Sequence, residues 1–347
     1  MNIVFVSTWL QKCGIATYTW DLAHALKNLG HSITILTENL PFDQRRTYEG
    51  IPSYPVWYRL GSSKTIVDCV RSSKTLPDII CFQHEYGLFP YTEDLFQTIQ
   101  TLEGLGIKVV TTLHTVKPGY IYSGFHKTVV HTPEAAFFVP DSTVIPHGVT
   151  INFPTEEEKV KAKLALNLQD YWKVFLSPGF ITKGKGIQHT IESFLGGATD
   201  EELLIVSGEC RDDALAEEIT TSLLVRGHTS RIRLDLTYAE DKKRDLYFKA
   251  SNAVILGRER DSPYSASGQI ATALGYGLPI LAREAPIHRD GGALLYRGGE
   301  HGEGNELPQF IENINESVLG YLSARSRKIA TERSWDIVAM EYEKVFS

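Results

Sequence analysis

Two stretches of the chain decide its fold: KCGIATYTWDLAHALKNLGHSITILTEN at positions 12–39 and SPGFITKGKGI at positions 177–187. A short apolar run precedes each stretch, NIVFVS at 2–7 and WKVFLS at 172–177, and such runs are typical of buried parallel strands. Each stretch then passes through a glycine-containing loop into a helical pattern. A Rossmann-like unit therefore begins twice, and each loop offers backbone N–H groups to an anion such as a nucleotide diphosphate.

Seven segments in order along nearly the whole chain carry a family resemblance. They are CGIATYT, QHEYGLF at 83–89, TTLHTV at 111–116, IPHGV at 145–149, GKGI at 184–187, SGQIATALGYGLPIL at 267–281 and RSWDIVAMEYEKVF at 333–346. Together they resemble glycosyltransferases of the GT-B fold, in particular glycosyltransferase family 4. The set is most similar to the subgroup in which CGIATYT and QHEYG occur together.

The resemblance implies an α/β fold of two Rossmann-like domains that face each other across a cleft. The first, acceptor-side domain is expected at 1–155, and the second, which binds the nucleotide sugar, at 170–325. A C-terminal helix within 326–347 is expected to cross back to the first domain. The connection at 150–170 contains Pro154 and the charged run EEEKVKAK and is the expected hinge.

Composition is that of an ordinary globular protein, with 42% hydrophobic and 22% charged residues. The net charge of −7 argues against a large nucleic-acid footprint. Cys13, Cys69, Cys81 and Cys210 lie far apart without CxxC spacing, so neither a zinc site nor a disulfide framework is indicated. We expect a cytoplasmic protein, and no apolar run approaches the ~20 residues that span a membrane.

The glycine loop at 184–187 is the expected donor site. Lys185 stands where the family's phosphate-binding lysine falls, and it would stabilise the charge that grows on the leaving diphosphate. The alternative is a solvated loop lysine. Phe180 replaces the family's usual arginine, and Lys183 is a candidate to compensate for it. In the first domain, Gly14 either lets the backbone approach the diphosphate or simply makes a tight turn.

The family's two donor-binding glutamates are absent, because the resemblance places Tyr264 and Thr272 at their positions. Ribose contacts and retaining stereochemistry therefore do not carry over. Ser267 and Gly268 still begin a helix, which is a favourable anion site. Glu259 could supply a displaced carboxylate, or it could be an exposed loop acid.

Acceptor-side chemistry is assigned to His84, Glu85 and His114. All three follow apolar strands, so we expect them at one edge of the sheet, where ligands of open α/β sheets bind. Histidine and glutamate can take a proton from an attacking hydroxyl near neutral pH. Alternatively, the two histidines only hydrogen-bond the ends of the strands. His147 fits a structural role better than a catalytic one.

The expected function is transfer of a hexose from a nucleotide diphosphate sugar to an acceptor hydroxyl. The subgroup resemblance favours mannose from GDP-mannose, with glucose as another possible hexose. No metal cofactor is expected, since the family generally needs none. An epimerase or hydrolase acting on a nucleotide sugar, and a noncatalytic sugar-nucleotide binding protein, remain alternatives. A nicotinamide dehydrogenase is disfavoured because no G-x-G-x-x-G follows the first strand.

Overall fold

The computed structural model describes residues 1–40, 46–227, 230–258, 264–289, 291–298 and 304–347. These residues form two compact units, each with its own parallel sheet. The first unit comprises Met1–Gly148, Pro263–Ala266 and Arg333–Ser347. The second comprises Val149–Ser262 and Ser267–Glu332.

The first unit is built on an eight-stranded sheet. Its strands are β1 (Asn2–Val6), β2 (Ser32–Glu38), β3 (Arg46–Tyr48), β4 (Ile51–Trp57), β5 (Ile79–His84), β6 (Lys108–Leu113), β8 (Thr128–Val130) and β9 (Thr143–Val144). Their order in the sheet is β3-β4-β2-β1-β5-β6-β8-β9, and only the β3–β4 pair is antiparallel. Strand β5 is buried along its whole length, because helices cover both faces of the sheet.

Five helices and one short ribbon complete the first unit. The helices are α1 (Gly14–Asn28), α2 (Lys64–Arg71), α3 (Thr92–Glu103), α4 (Pro133–Ala136) and α12 (Trp335–Phe346), and the ribbon pairs β7 (Thr115–Val116) with β14 (Tyr264–Ser265). Helix α1 begins where the Cys13 sulfur accepts the N–H of Ala16. Helix α12 contributes six buried side chains to the core beneath α1 and β1.

The second unit is built on a six-stranded parallel sheet with the order β12-β11-β10-β13-β15-β16. The strands are β10 (Lys173–Pro178), β11 (Glu202–Ser207), β12 (Ile232–Asp235), β13 (Ala253–Leu256), β15 (Ile280–Arg283) and β16 (Leu294–Tyr296). Strand β10 lies in register between β11 and β13, with Phe175 beside Leu204 and Ala253. The glycine loop that follows β10 therefore leaves the sheet near its centre.

Helices cover both faces of this second sheet. They are α5 (Glu156–Ala165), α6 (Ile187–Gly197), α7 (Asp213–Arg226), α8 (Asp241–Ala250), α9 (Gly268–Gly275), α10 (Leu307–Asn313) and α11 (Glu316–Glu332). The charged run that the sequence assigns to a hinge forms α5. Thr155 and Glu158 close its first turn as a reciprocal capping box, and the helix packs on α8.

Among the described residues, no helix combines the length and the apolar character needed to cross a membrane.

Candidate active site

The loop after β10 is shaped by glycines that admit no side chain. Gly179 has φ +104°, and a Cβ there would collide with the side chain of Gln269. Gly186 has φ +61°, and a Cβ there would collide with the carbonyl oxygen of Gly257. Between them, Lys183–Lys185 forms a single 3-10 turn that leads into α6. The glycines thus bring this turn into backbone contact with the residues that follow β13.

Gln269 connects Lys185 to the first turn of α9. Its Oε1 accepts a hydrogen bond from the Lys185 Nζ at 3.1 Å, and its Nε2 donates to the carbonyl of Pro178 at the end of β10. Ser267 caps the same helix, with its Oγ accepting the N–H of Ile270. The next two N–H groups, of Gly268 and Gln269, are among the first four of a helix, which have no intrahelical acceptor. A lysine and a helix N-terminus are therefore brought together.

Positive charge accumulates in this corner of the second unit. Burial, and then the charge of Arg258, lower the pKa of Lys185 from 10.5 to about 8. Burial also lowers the pKa of Arg258. Neither cation has a carboxylate partner among the residues that the structure describes. An anionic ligand would relieve both the repulsion and the desolvation of these two groups.

His288 is a neutral neighbour of the two cations. Burial is the main reason that its pKa falls to about 4, and the charges of Lys185 and Arg258 lower it further. Its Nδ1–H donates to the carbonyl oxygen of Arg283 at 2.6 Å, a bond that acts in the opposite direction. The hydrogen bond fixes the tautomer, so the Nε2 of the neutral ring is an acceptor.

The predicted donor residues occupy different surroundings. Lys185, Ser267 and Gly268 meet at the corner just described. Lys183 is exposed on the same turn, and Gly14 is exposed at the start of α1 in the first unit. Gly14 does not have a positive φ, and a Cβ there would meet nothing within 4 Å, so the turn itself does not require glycine. Glu259 lies outside the described residues.

The two positions of the absent glutamates are also separated. Thr272 lies in α9, where its hydroxyl donates to the carbonyl of Gly268 at 2.8 Å. Tyr264 belongs to β14, in the first unit, and its ring packs against Phe138 with centroids 4.8 Å apart. Neither position carries a carboxylate.

In the first unit, Glu85 lies at the carboxyl end of β5. Its Oε2 accepts a hydrogen bond from the Thr115 hydroxyl at 2.6 Å, and its Oε1 accepts the N–H of Tyr86 at 3.0 Å. The N–H of His114 donates to the carbonyl of His84 at 3.1 Å, which joins the ends of β5 and β6. Glu85 is partly exposed at this sheet edge. It is held in a fixed orientation from two sides.

His84 lies inside the core, although it immediately precedes Glu85. It is 1% exposed, and its ring packs against Tyr86, Phe89 and Phe125. Neither ring nitrogen has a hydrogen-bond partner in the described structure, and burial lowers its pKa to about 4. The side chain of His84 is thus directed away from the edge that its backbone reaches.

His114 belongs to a group of buried and half-buried imidazoles around Tyr18. Its Nε2–H donates to Gln83 Oε1 at 2.9 Å, and its Nδ1 lies 3.4 Å from His131 Nε2. Burial, followed by the neighbouring histidines, lowers its pKa well below the ordinary value. His147 also contacts Tyr18, and it donates from Nδ1 to the carbonyl of Gly148 at 2.7 Å. These rings are neutral near pH 7.

No group of three or more His, Cys, Asp or Glu side chains suited to hold a metal ion occurs within the part of the chain that the structure describes. The expectation of a metal-independent reaction stays a prediction.

Comparisons with known proteins identify the fold of this chain. Residues 13–139 match the family model described as Glycosyltransferase Family 4. No curated protein sequence matches the chain. Among solved structures, a glycosyltransferase from Rickettsia africae aligns over 99% of this chain and 97% of its own, with TM-score 0.77 and 15% identity.

Two further solved structures are similar over the whole chain. One is Anabaena HepE in complex with UDP and glucose, with TM-score 0.71, 14% identity and coverage of 99% of this chain and 98% of that one. The other is the catalytic domain of Starch Synthase IV from Arabidopsis thaliana bound to ADP and acarbose. It aligns over 100% of this chain and 98% of its own, with TM-score 0.74 and 14% identity.

The chain therefore has the GT-B fold. Over residues 13–139 the chain is similar to Glycosyltransferase Family 4. The predicted fold class and family resemblance are confirmed.

Three residues of the donor corner were missed by the sequence interpretation: Arg258, Gln269 and His288. Arg258 had a usable signal, because it is a basic residue directly after the apolar strand at 253–256. Gln269 had a weaker one, its place next to Ser267-Gly268. Nothing in the sequence indicates that His288 lies beside Lys185.

Proposed function

We propose that the protein transfers a hexose from a nucleotide diphosphate sugar to an acceptor hydroxyl. The observation that carries this proposal is the corner formed by Lys185, Gln269 and the N-terminus of α9. Two basic side chains and helix N–H groups converge there. Such a set fits the two adjacent charges of a diphosphate better than a neutral ligand.

In the proposed reaction, the donor's anomeric carbon loses the diphosphate and gains a bond to the acceptor oxygen. Negative charge grows on the departing diphosphate, where Lys185 and the N–H groups of Gly268 and Gln269 stabilise it. Lys183 lies on the same turn and is a secondary contact. Gly14 stays a predicted donor contact; it is exposed, and its turn does not require glycine.

On the acceptor side, Glu85 is the proposed base. It is partly exposed, it lies at the carboxyl end of a strand, and its orientation is fixed by Thr115 and Tyr86. His114 would act next to it as a neutral hydrogen-bonding group. His84, whose ring is enclosed, would support the loop that carries Glu85 and would not exchange protons at neutral pH.

Two of the similar structures named above were solved with ligands, one with UDP and glucose and the other with ADP and acarbose. Mannose from GDP-mannose remains our first proposal for the donor, with glucose as the other hexose. A cytoplasmic location is proposed because all four cysteines are free, as is usual in a reducing compartment.

The test is a thermal-shift panel of UDP, GDP, ADP and dTDP sugars, followed by product analysis with and without sugar acceptors. A donor that raises Tm and is consumed only when an acceptor is present supports transfer. Consumption without an acceptor would favour an epimerase or hydrolase instead. Binding without any turnover would favour a noncatalytic protein. EDTA is expected to leave the rate unchanged.

A further inference from the structure

Three basic side chains could serve beside Lys185 as a second cationic contact for the diphosphate: Lys183, Arg211 and Arg258. They lie on different segments of the second unit, after β10, after β11 and after β13. Their burial and partners differ, and these differences decide among them.

Arg211 is already engaged. Its guanidinium donates to Glu209 at 2.8 Å, and it lies 5.5 Å from the centre of the Phe180 ring. The side chain is 71% exposed. A ligand would have to compete with Glu209 and with water for this cation, so its charge is well compensated. Lys183 is exposed on the 3-10 turn and likewise keeps its hydration.

Arg258 is in the opposite situation. It is partly buried, and no carboxylate pairs with it in the part of the chain that the structure describes. The preceding residue, Gly257, packs its backbone against Gly186 and against the carbonyl of Lys185, so the two cations leave adjoining segments of chain. Their charges act on each other and on His288. Like charges held together out of water favour an anion between them.

We propose that Arg258 binds the diphosphate of the donor together with Lys185. This inference rests on the proposed function and names a residue that the family motifs do not assign. A guanidinium offers two parallel N–H donors to phosphate oxygens, whereas Lys185 offers a single charged centre. Arg258 thereby supplies the arginine contact that is absent at Phe180.

The experiment measures binding of nucleoside diphosphates and of the matching nucleoside by isothermal titration calorimetry. The base is the one that gives the largest thermal shift with the wild type. Arg258→Gln should weaken diphosphate binding about 10- to 100-fold, the range expected for loss of a charge-assisted hydrogen bond, and leave nucleoside binding unchanged. Arg258→Lys should restore part of the loss. The matched control, Arg211→Gln, should stay within about twofold of wild type.

A second measurement tests whether the charge of Arg258 acts on Lys185. The diphosphate affinity of the wild type should fall above about pH 8, where Lys185 loses its proton. In Arg258→Gln the pH at which the diphosphate affinity begins to fall should be higher, because the positive charge next to Lys185 is gone. The calorimetric titration is therefore repeated between pH 7 and pH 10 for both proteins.

The possible failures are distinguishable. If the wild type binds no nucleoside diphosphate, the proposed function and this inference fail together. If the wild type binds and folded Arg258→Gln binds equally well, only the role of Arg258 is overturned. That role is also overturned if Arg211→Gln loses the affinity that Arg258→Gln keeps.

Discussion

Replacing Lys185 by methionine should make the ligand-free protein more stable while it removes the diphosphate site. The pKa of Lys185 falls from 10.5 to about 8 because the ammonium is buried beside Arg258. That change corresponds to about 3 kcal/mol of free energy, which the folded state loses by keeping the group charged. Methionine has a similar shape and no charge. It also gives up the hydrogen bond to Gln269, which costs about 1 kcal/mol.

The net expectation for Lys185→Met at pH 7 is therefore a gain of about 2 kcal/mol in the free energy of unfolding. Near Tm, each kcal/mol corresponds to roughly 2–4 °C in a domain of this size. Urea unfolding and calorimetry of the second unit's transition measure the gain. Lys183→Met is the matched control, and it should change stability by less than about 0.5 kcal/mol because this lysine is exposed.

The pH dependence of the gain has a definite sign. Below pH 8 the lysine is protonated in both the folded and the unfolded chain, so the wild type carries the whole penalty. Between pH 8 and pH 10.5 the folded chain loses this proton while the unfolded chain keeps it. The wild type then gains stability, and its difference from Lys185→Met shrinks by about 1.4 kcal/mol per pH unit. The reasoning would be refuted if Lys185→Met were no more stable than wild type at pH 7. It would also be refuted if the gain in the free energy of unfolding were the same at about pH 9.5 as at pH 7.

Two further predictions concern the base and the glycine loop. Glu85→Gln should lower kcat by about 10²- to 10⁴-fold and leave the donor Kd unchanged. The control Glu103→Gln only removes a carboxylate bound to His126, so it should keep full activity. Equal kcat in both variants would exclude Glu85 as the base. Gly186→Ala should cost about 2–5 kcal/mol in urea unfolding, since it adds a collision with Gly257 to the strain of a positive φ. Gly227→Ala has φ +71° but open space around its Cβ, so it should cost only about 1–2 kcal/mol. Similar losses for the two alanines would show that the loop can move away from Gly257.

The parts of the fold that were predictable are those with strong local signals. Apolar runs that end in glycine loops define β1 and β10, because a buried parallel strand needs apolar residues on both faces. The ordered motifs predicted the family resemblance and, through it, the GT-B fold. Strand β14 was not predictable, since it is two residues long and carries no periodicity.

The candidate site shows where sequence reasoning stops. All six residues of β5 are buried, so no alternation indicates which way a side chain at its end is directed. The sequence therefore predicted that the side chains of His84 and Glu85 lie together. In the structure the ring of His84 is buried, whereas the side chain of Glu85 is partly exposed. The place of Arg258 beside Lys185 depends on the neighbouring order of β10 and β13, a long-range pairing that no local pattern encodes.

Helix α12 has a consequence for how the protein is made. Its six buried side chains close the core of the first unit, and its Tyr342 hydroxyl bonds Tyr18 at 3.0 Å and Thr112 at 2.8 Å. The ribosome must therefore translate the whole second unit before the first can be completed. At ~5–20 residues per second, translation of the second unit leaves this core uncovered for on the order of 10–40 s. In the nascent chain, the first unit needs protection until α12 has emerged.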